Sequence, residues 1–165
     1  VRRTLAFALI LPALALPFAG CGGKGMGPTP PACITAPQVW LTALSKAPGD
    51  VAIDQSTPIS TCLPKDQASA QQEEVGRTAV EVATQLSRFI KAGEGAQKDY
   101  ESSAEAALMA GYLVGALQRG AKETEGIHTT LVNRVEAAAT NGLSGASQKL
   151  QGSYQEGHKA GLESG

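Results

Sequence analysis

The residues with the reactivity to do chemistry in this 165-residue sequence are three cysteines, two histidines and a scatter of carboxylates. Glu125 and His128 stand three apart, the spacing that puts both on one helix face and that carboxylate-bridged metal bundles use twice. The matching stretch near the end of the chain reads Gln155-Glu156-Gly157-His158, with an amide where the carboxylate belongs. Glu81 and Glu105 would have to complete the ligand set of a metal oxidase, and Glu81 falls off the apolar stripe of its segment. The plainer reading makes Glu125 a solvated side chain and His128 a capping or surface residue. No Gly-x-Ser-x-Gly elbow and no glycine-rich phosphate loop is present, and Asp50 and Asp54 lack the further ligands of a calcium loop. The expectation is a protein that is not an enzyme and carries no cofactor or metal.

A second constellation is made of glycines and rings. Gly111-Tyr112-Leu113-Val114-Gly115 and Gly157-His158-Lys159-Ala160-Gly161 share one spacing. Glycine inside a helix costs roughly 1 kcal/mol against alanine, so paired glycines need a reason. Small residues four apart form a flat groove that admits a neighbouring helix. These two faces, with Tyr154 beside the second, read as tight helix packing in an alanine-rich core or as a binding and self-association groove. Trp40 is the only tryptophan. It reads as a plug that packs a short helix on the body, with a ligand-stacking role as the alternative; Tyr112, Tyr154 and His158 would then line the same pocket.

The beginning of the sequence carries a different kind of signal. Val1-Arg2-Arg3 is positively charged, and Thr4 to Gly20 is an apolar run broken by Pro12 and Pro17. That is the pattern of a secretory signal, at the short limit for spanning a bilayer. The run closes on Phe18-Ala19-Gly20-Cys21, which resembles the lipobox of bacterial lipoproteins, with Phe18 in place of the more usual leucine. The resemblance implies cleavage before Cys21, acylation of the Cys21 thiol, and export to the extracytoplasmic face of the cell membrane or outer membrane. Several acyl chains hold far better than one. Cys33 and Cys62 then remain as an even pair in an oxidising compartment, a candidate disulfide.

These groups must be positioned by the chain between them. Gly22 to Pro31 has no apolar periodicity and reads as a flexible tether. Thr35-Ala36-Pro37-Gln38 has the signature of a helix start, with Val39, Trp40, Leu41 and Leu44 on one face until Pro48-Gly49. From Asp66 the pattern turns helical, with Ala68, Val75, Ala79, Val82, Leu86 and Phe89 forming one stripe. The second long segment, about 97 to 119, is apolar nearly all round between Ala106 and Leu117 and is therefore expected at the centre. The third runs from about Glu123 to Thr140 with Ile127, Leu131, Val135 and Ala138 on one face. The last runs from about Ser144 to Leu162. The predicted organisation is a signal peptide at 1–20, a lipidated cysteine and tether at 21–32, and a disulfide-closed loop with a short helix at 33–64. A helical bundle fills 65–165. The fold class is all-α, a four-helix up-down bundle with short glycine-containing connections.

Fourteen basic residues stand against fifteen acidic ones. No basic stripe is present, so no nucleic acid partner is expected. The stretch from Pro58 to Glu136, including Gly-Tyr-Leu-Val-Gly-Ala-Leu at 111–117 and Gly-Ile-His at 126–128, resembles uncharacterised lipoproteins of high-GC bacteria. That resemblance implies no activity and no site residues. The expected role is a structural or protein-interaction domain of the cell envelope, held to the membrane through its lipid, with an envelope protein as partner. A small-ligand-binding helical domain is the alternative.

Overall fold

The computed structural model describes residues 28–93 and 100–165. The expected signal peptide, Cys21 and the tether as far as residue 27 lie outside them. Among the described residues the chain is all-helical, with five α-helices and no strand beyond one isolated bridge between Ile53 and Thr57. The helices are α1 Pro37–Leu44, α2 Ser69–Ala92, α3 Tyr100–Glu123, α4 Thr129–Thr140 and α5 Gln148–Ser164. Three-residue and four-residue 3-10 turns at Pro31–Cys33, Ile59–Cys62 and Asn141–Leu143 join them.

The tether ends earlier than its composition implies. Thr29 is buried, and its hydroxyl donates to Gln71 Oε1 at 3.1 Å while it accepts from Gln67 Nε2 at 2.9 Å. The chain is therefore fixed to the start of α2 from residue 29 onward. Cys33 and Cys62 form a disulfide with Cα atoms 5.4 Å apart. Pro37 opens α1 at its first position, but the Thr35 hydroxyl donates back to Ala32 O instead of capping the helix. Trp40, Ala43 and Leu44 point inward, joined by Val51, Ile53, Ile59 and Leu63 from the irregular chain that follows. Val39 stays exposed.

Helix α3 is the hub. Every residue from Met109 to Leu117 is buried, as all-round apolarity requires. It packs against α2, α4, α5 and the Ile59–Cys62 turn. Ser103 Oγ donates to Phe89 O at 2.9 Å, tying the start of α3 to the end of α2, so the two run antiparallel. Helices α2 and α4 run parallel: Gln72 meets His128, Gly76 meets Leu131 and Ser87 meets Gly142 in that order along both. Helices α3 and α5 are parallel as well, with Leu108 beside Gly157 and Ala116 beside Gly165.

Chain direction thus alternates from α2 to α5. The packing departs from an evenly closed bundle, because α5 lies on α3 and makes only marginal contact with α2 and α4. Two stripe assignments also shift. Phe89 is 58 % exposed and Ile90 is buried in its place. The Asn141–Leu143 turn covers the end of α2 on the side of Ser87, and Ile90, three residues on, shares that side of the helix. Ala68 is exposed just ahead of α2, which begins at Ser69.

Candidate functional site

Helix α3 runs four residues beyond its expected end, and α4 begins six residues later than expected. Between them Glu125 and Gly126 adopt φ of +60° and +79°, left-handed values that end a helix. Glu125 and His128 therefore lie in a loop, and the shared helix face predicted for them does not form. Glu125 is exposed and pairs with Lys65 at 2.9 Å. His128 is 2 % exposed, not at the surface. Its Nε2 donates to Pro64 O at 3.0 Å and its Nδ1 accepts from Gln72 Nε2 at 3.0 Å. Both ring nitrogens are satisfied in one tautomer, so the ring acts as a strut between the α3–α4 loop, the disulfide-closed segment and α2. Ile127, expected on the apolar face of α4, projects into solvent from the same loop. Among the described residues no group of three or more His, Cys, Asp and Glu side chains gathers as a metal would require.

The glycine faces meet each other. A Cβ on Gly111 would run into Tyr154 O, with His158 N 2.8 Å away; one on Gly115 would run into His158 O. On the opposing helix, a Cβ on Gly157 would run into Leu108 O, with Tyr112 N at 3.0 Å, and one on Gly161 into Tyr112 O, with Ala116 N at 2.8 Å. The four glycines are one reciprocal interface, backbone against backbone, and that surface is consumed inside the molecule. Tyr112 is fully buried and its hydroxyl lies 3.2 Å from Ser164 Oγ.

A chain of polar groups runs along the edge of that interface. His158 Nε2 donates to Gln118 Oε1 at 2.8 Å, and Gln118 Nε2 reaches Glu136 Oε2 at 3.4 Å, linking α5, α3 and α4. Tyr154 stacks beside His158 with ring centroids 6.2 Å apart. Its hydroxyl is buried without a hydrogen-bond partner. Burial, and secondarily the negative charge of Glu136, push its pKa up to about 12. Trp40 sits elsewhere, fully buried in the disulfide-closed segment, and leaves no ring face open to a ligand.

One cleft was not anticipated from the sequence. It has a volume of about 340 Å3 and lies where the described chain enters the body, between Pro28, Pro30, Pro58, Leu63 and Pro64 on one side and Arg119, Gly120 and Thr124 of the α3 end on the other. Arg119 Nε pairs with Glu123 at 3.2 Å and its Nη1 donates to Glu163 O at 2.6 Å. Gly120 allows the closure, since a Cβ there would run into Ser60 O. The four prolines were visible in the sequence, but nothing in their spacing announced that they converge.

No protein-family model, no curated protein and no solved structure matches the chain.

Proposed function

We propose that the protein is a membrane-tethered lipoprotein whose helical body serves as a structural or protein-interaction domain of the cell envelope. The observation that carries this reading is Phe18-Ala19-Gly20-Cys21 at the end of an apolar run, followed by a body fixed from Thr29. Only seven residues then separate the acylated cysteine from Thr29, a leash of at most about 29 Å over eight peptide steps. The body's polar and glycine features are spent on its own construction: His128 braces a loop and the four glycines let α5 sit on α3. Its alternating helix directions are those of an up-down bundle whose last helix has closed onto one neighbour. Among the described residues no helix is long and apolar enough to cross a membrane.

Intact mass of the membrane-extracted protein tests the anchor. The expected result is a chain beginning at Cys21 with added acyl mass. A chain retaining residues 1–20 without lipid would overturn the reading.

A second reading, a small-ligand binder, draws on the unpartnered Tyr154 hydroxyl beside Glu136, Gln118 and His158. It predicts that a bound ligand would quench titration of Tyr154. Calorimetry with envelope extracts that gives no heat dependent on Tyr154 would remove it.

A further inference from the structure

Among the described residues the cleft beside Pro28 includes the one nearest in sequence to Cys21, so the covalent chain bounds its distance from that cysteine most tightly. Pro28 is itself part of the wall, and seven peptide steps back to Cys21 keep that thiol within about 25 Å of it. Proline rings and Leu63 form one wall, and the hydroxyls that complete the lining are already donated to backbone carbonyls, Ser60 to Gly165, Thr61 to Pro58, Thr124 to Gly120 and Ser164 to Ala160. Proline has no backbone N–H, so a wall of prolines presents no donor that an apolar occupant would leave unpaired. The charged group at the rim is already satisfied: Arg119 is held by Glu123 and by Glu163 O. Arg119 and Glu123 therefore neutralise each other and offer an ion no free counter-charge, whereas hydrocarbon needs none. The volume of about 340 Å3 is at the lower end of the range for small-molecule sites.

Resting on the reading of Cys21 as acylated, we propose that this cleft seats one of the acyl chains carried by Cys21 when the protein is away from a bilayer. In a membrane the chain gains nothing by moving, because lipid tails are more apolar than the cleft, whose wall includes hydroxyls and the Arg119–Glu123 pair. In water every exposed methylene is penalised, and the nearest apolar concavity is the one its own tether leads to. The cleft is thus filled in solution and emptied on docking to a membrane.

The test uses the full lipidated protein from cells fed a palmitate analogue carrying a photoreactive diazirine, irradiated after purification. In detergent-depleted buffer the Cys21 chain is expected to cross-link within the molecule, to the segments 58–65 and 119–124. Adding phosphatidylethanolamine–phosphatidylglycerol vesicles should lower that yield several-fold. Thr61 is exposed at the edge of the cleft, so Thr61→Trp should fill the space and abolish the cross-link while helicity and the acyl mass on Cys21 are unchanged. Acylated protein that cross-links to other segments, or equally well with Trp at position 61, overturns the proposal alone. Cys21 without acyl mass overturns it together with the lipoprotein reading.

Discussion

The segment around the Cys33–Cys62 disulfide and the α3–α5 interface hold chain together in opposite ways. The first is mostly irregular: α1 has eight residues, and the rest is 3-10 turn and loop. It relies on bulk, with Trp40, Leu44, Ile53, Ile59 and Leu63 enclosed, and on a covalent link between its ends. The second is two regular helices whose contact relies on the removal of side chains at Gly111, Gly115, Gly157 and Gly161. Loop backbone is ordered at a high entropic cost and needs large apolar groups and a cross-link to offset it. Helical backbone satisfies its own hydrogen bonds, so two helices can approach until main chains touch and dispersion contacts accumulate.

The largest test of this contrast removes the covalent link. Cys33→Ala with Cys62→Ala closes no loop in the unfolded state and should cost about 3–4 kcal/mol, read as a lower midpoint in urea denaturation. Near-normal stability would mean that the buried side chains alone suffice. Next, Gly157→Ala should cost about 1–3 kcal/mol, although alanine is the better helix former, because its Cβ has to displace the backbone of α3. A stabilised Gly157→Ala variant would contradict the main-chain contact.

Tyr154 sharpens the comparison at the edge of the same interface. Its raised pKa means that the folded state favours the neutral phenol, so its contribution is present below the ordinary tyrosine value near pH 10. That contribution is lost as pH rises toward about 12. Discounted for partial solvent screening, the loss is about 1–2 kcal/mol. Tyr154→Phe should flatten stability across that window, with little change at neutral pH, since the hydroxyl has no partner to lose. The smallest effect serves as the control. Gly152 lies on α5 with open space where its Cβ would go, and Gly152→Ala should stabilise by about 0.5–1 kcal/mol in the same denaturation assay.

The central place of α3 was legible in the sequence because a helix apolar on every side has only one place to go. The glycine pairs were legible as close-approach faces for a similar reason. What they would approach was not, since periodicity defines a face without naming its neighbour, and the pairing turned out parallel and mutual. The boundary between α3 and α4 was misplaced because it turns on Glu125 at φ +60°, a conformation that a non-glycine residue does not advertise. The exchange of Phe89 for Ile90 has its origin in the 3.6-residue repeat. Both positions fall near the stripe, three and four residues beyond Leu86, and periodicity alone does not choose between them. The docking of Thr29 rests on two glutamines 38 and 42 residues away, a pairing with no local signature. The Cys33–Cys62 disulfide, by contrast, follows from counting cysteines once an oxidising compartment is assumed.

Attachment of α5 to a single neighbour also makes it a separable unit. Of its fully enclosed residues, only Leu150 carries a side chain beyond hydrogen, the others being Gly157 and Gly161. Its own enclosed side chains contribute little apolar area, so the heat-capacity change and denaturant slope of opening it would come mainly from the α3 face it covers, Tyr112 included. Its amides should exchange with solvent through an opening that leaves α2, α3 and α4 assembled, a breathing motion below the global unfolding free energy.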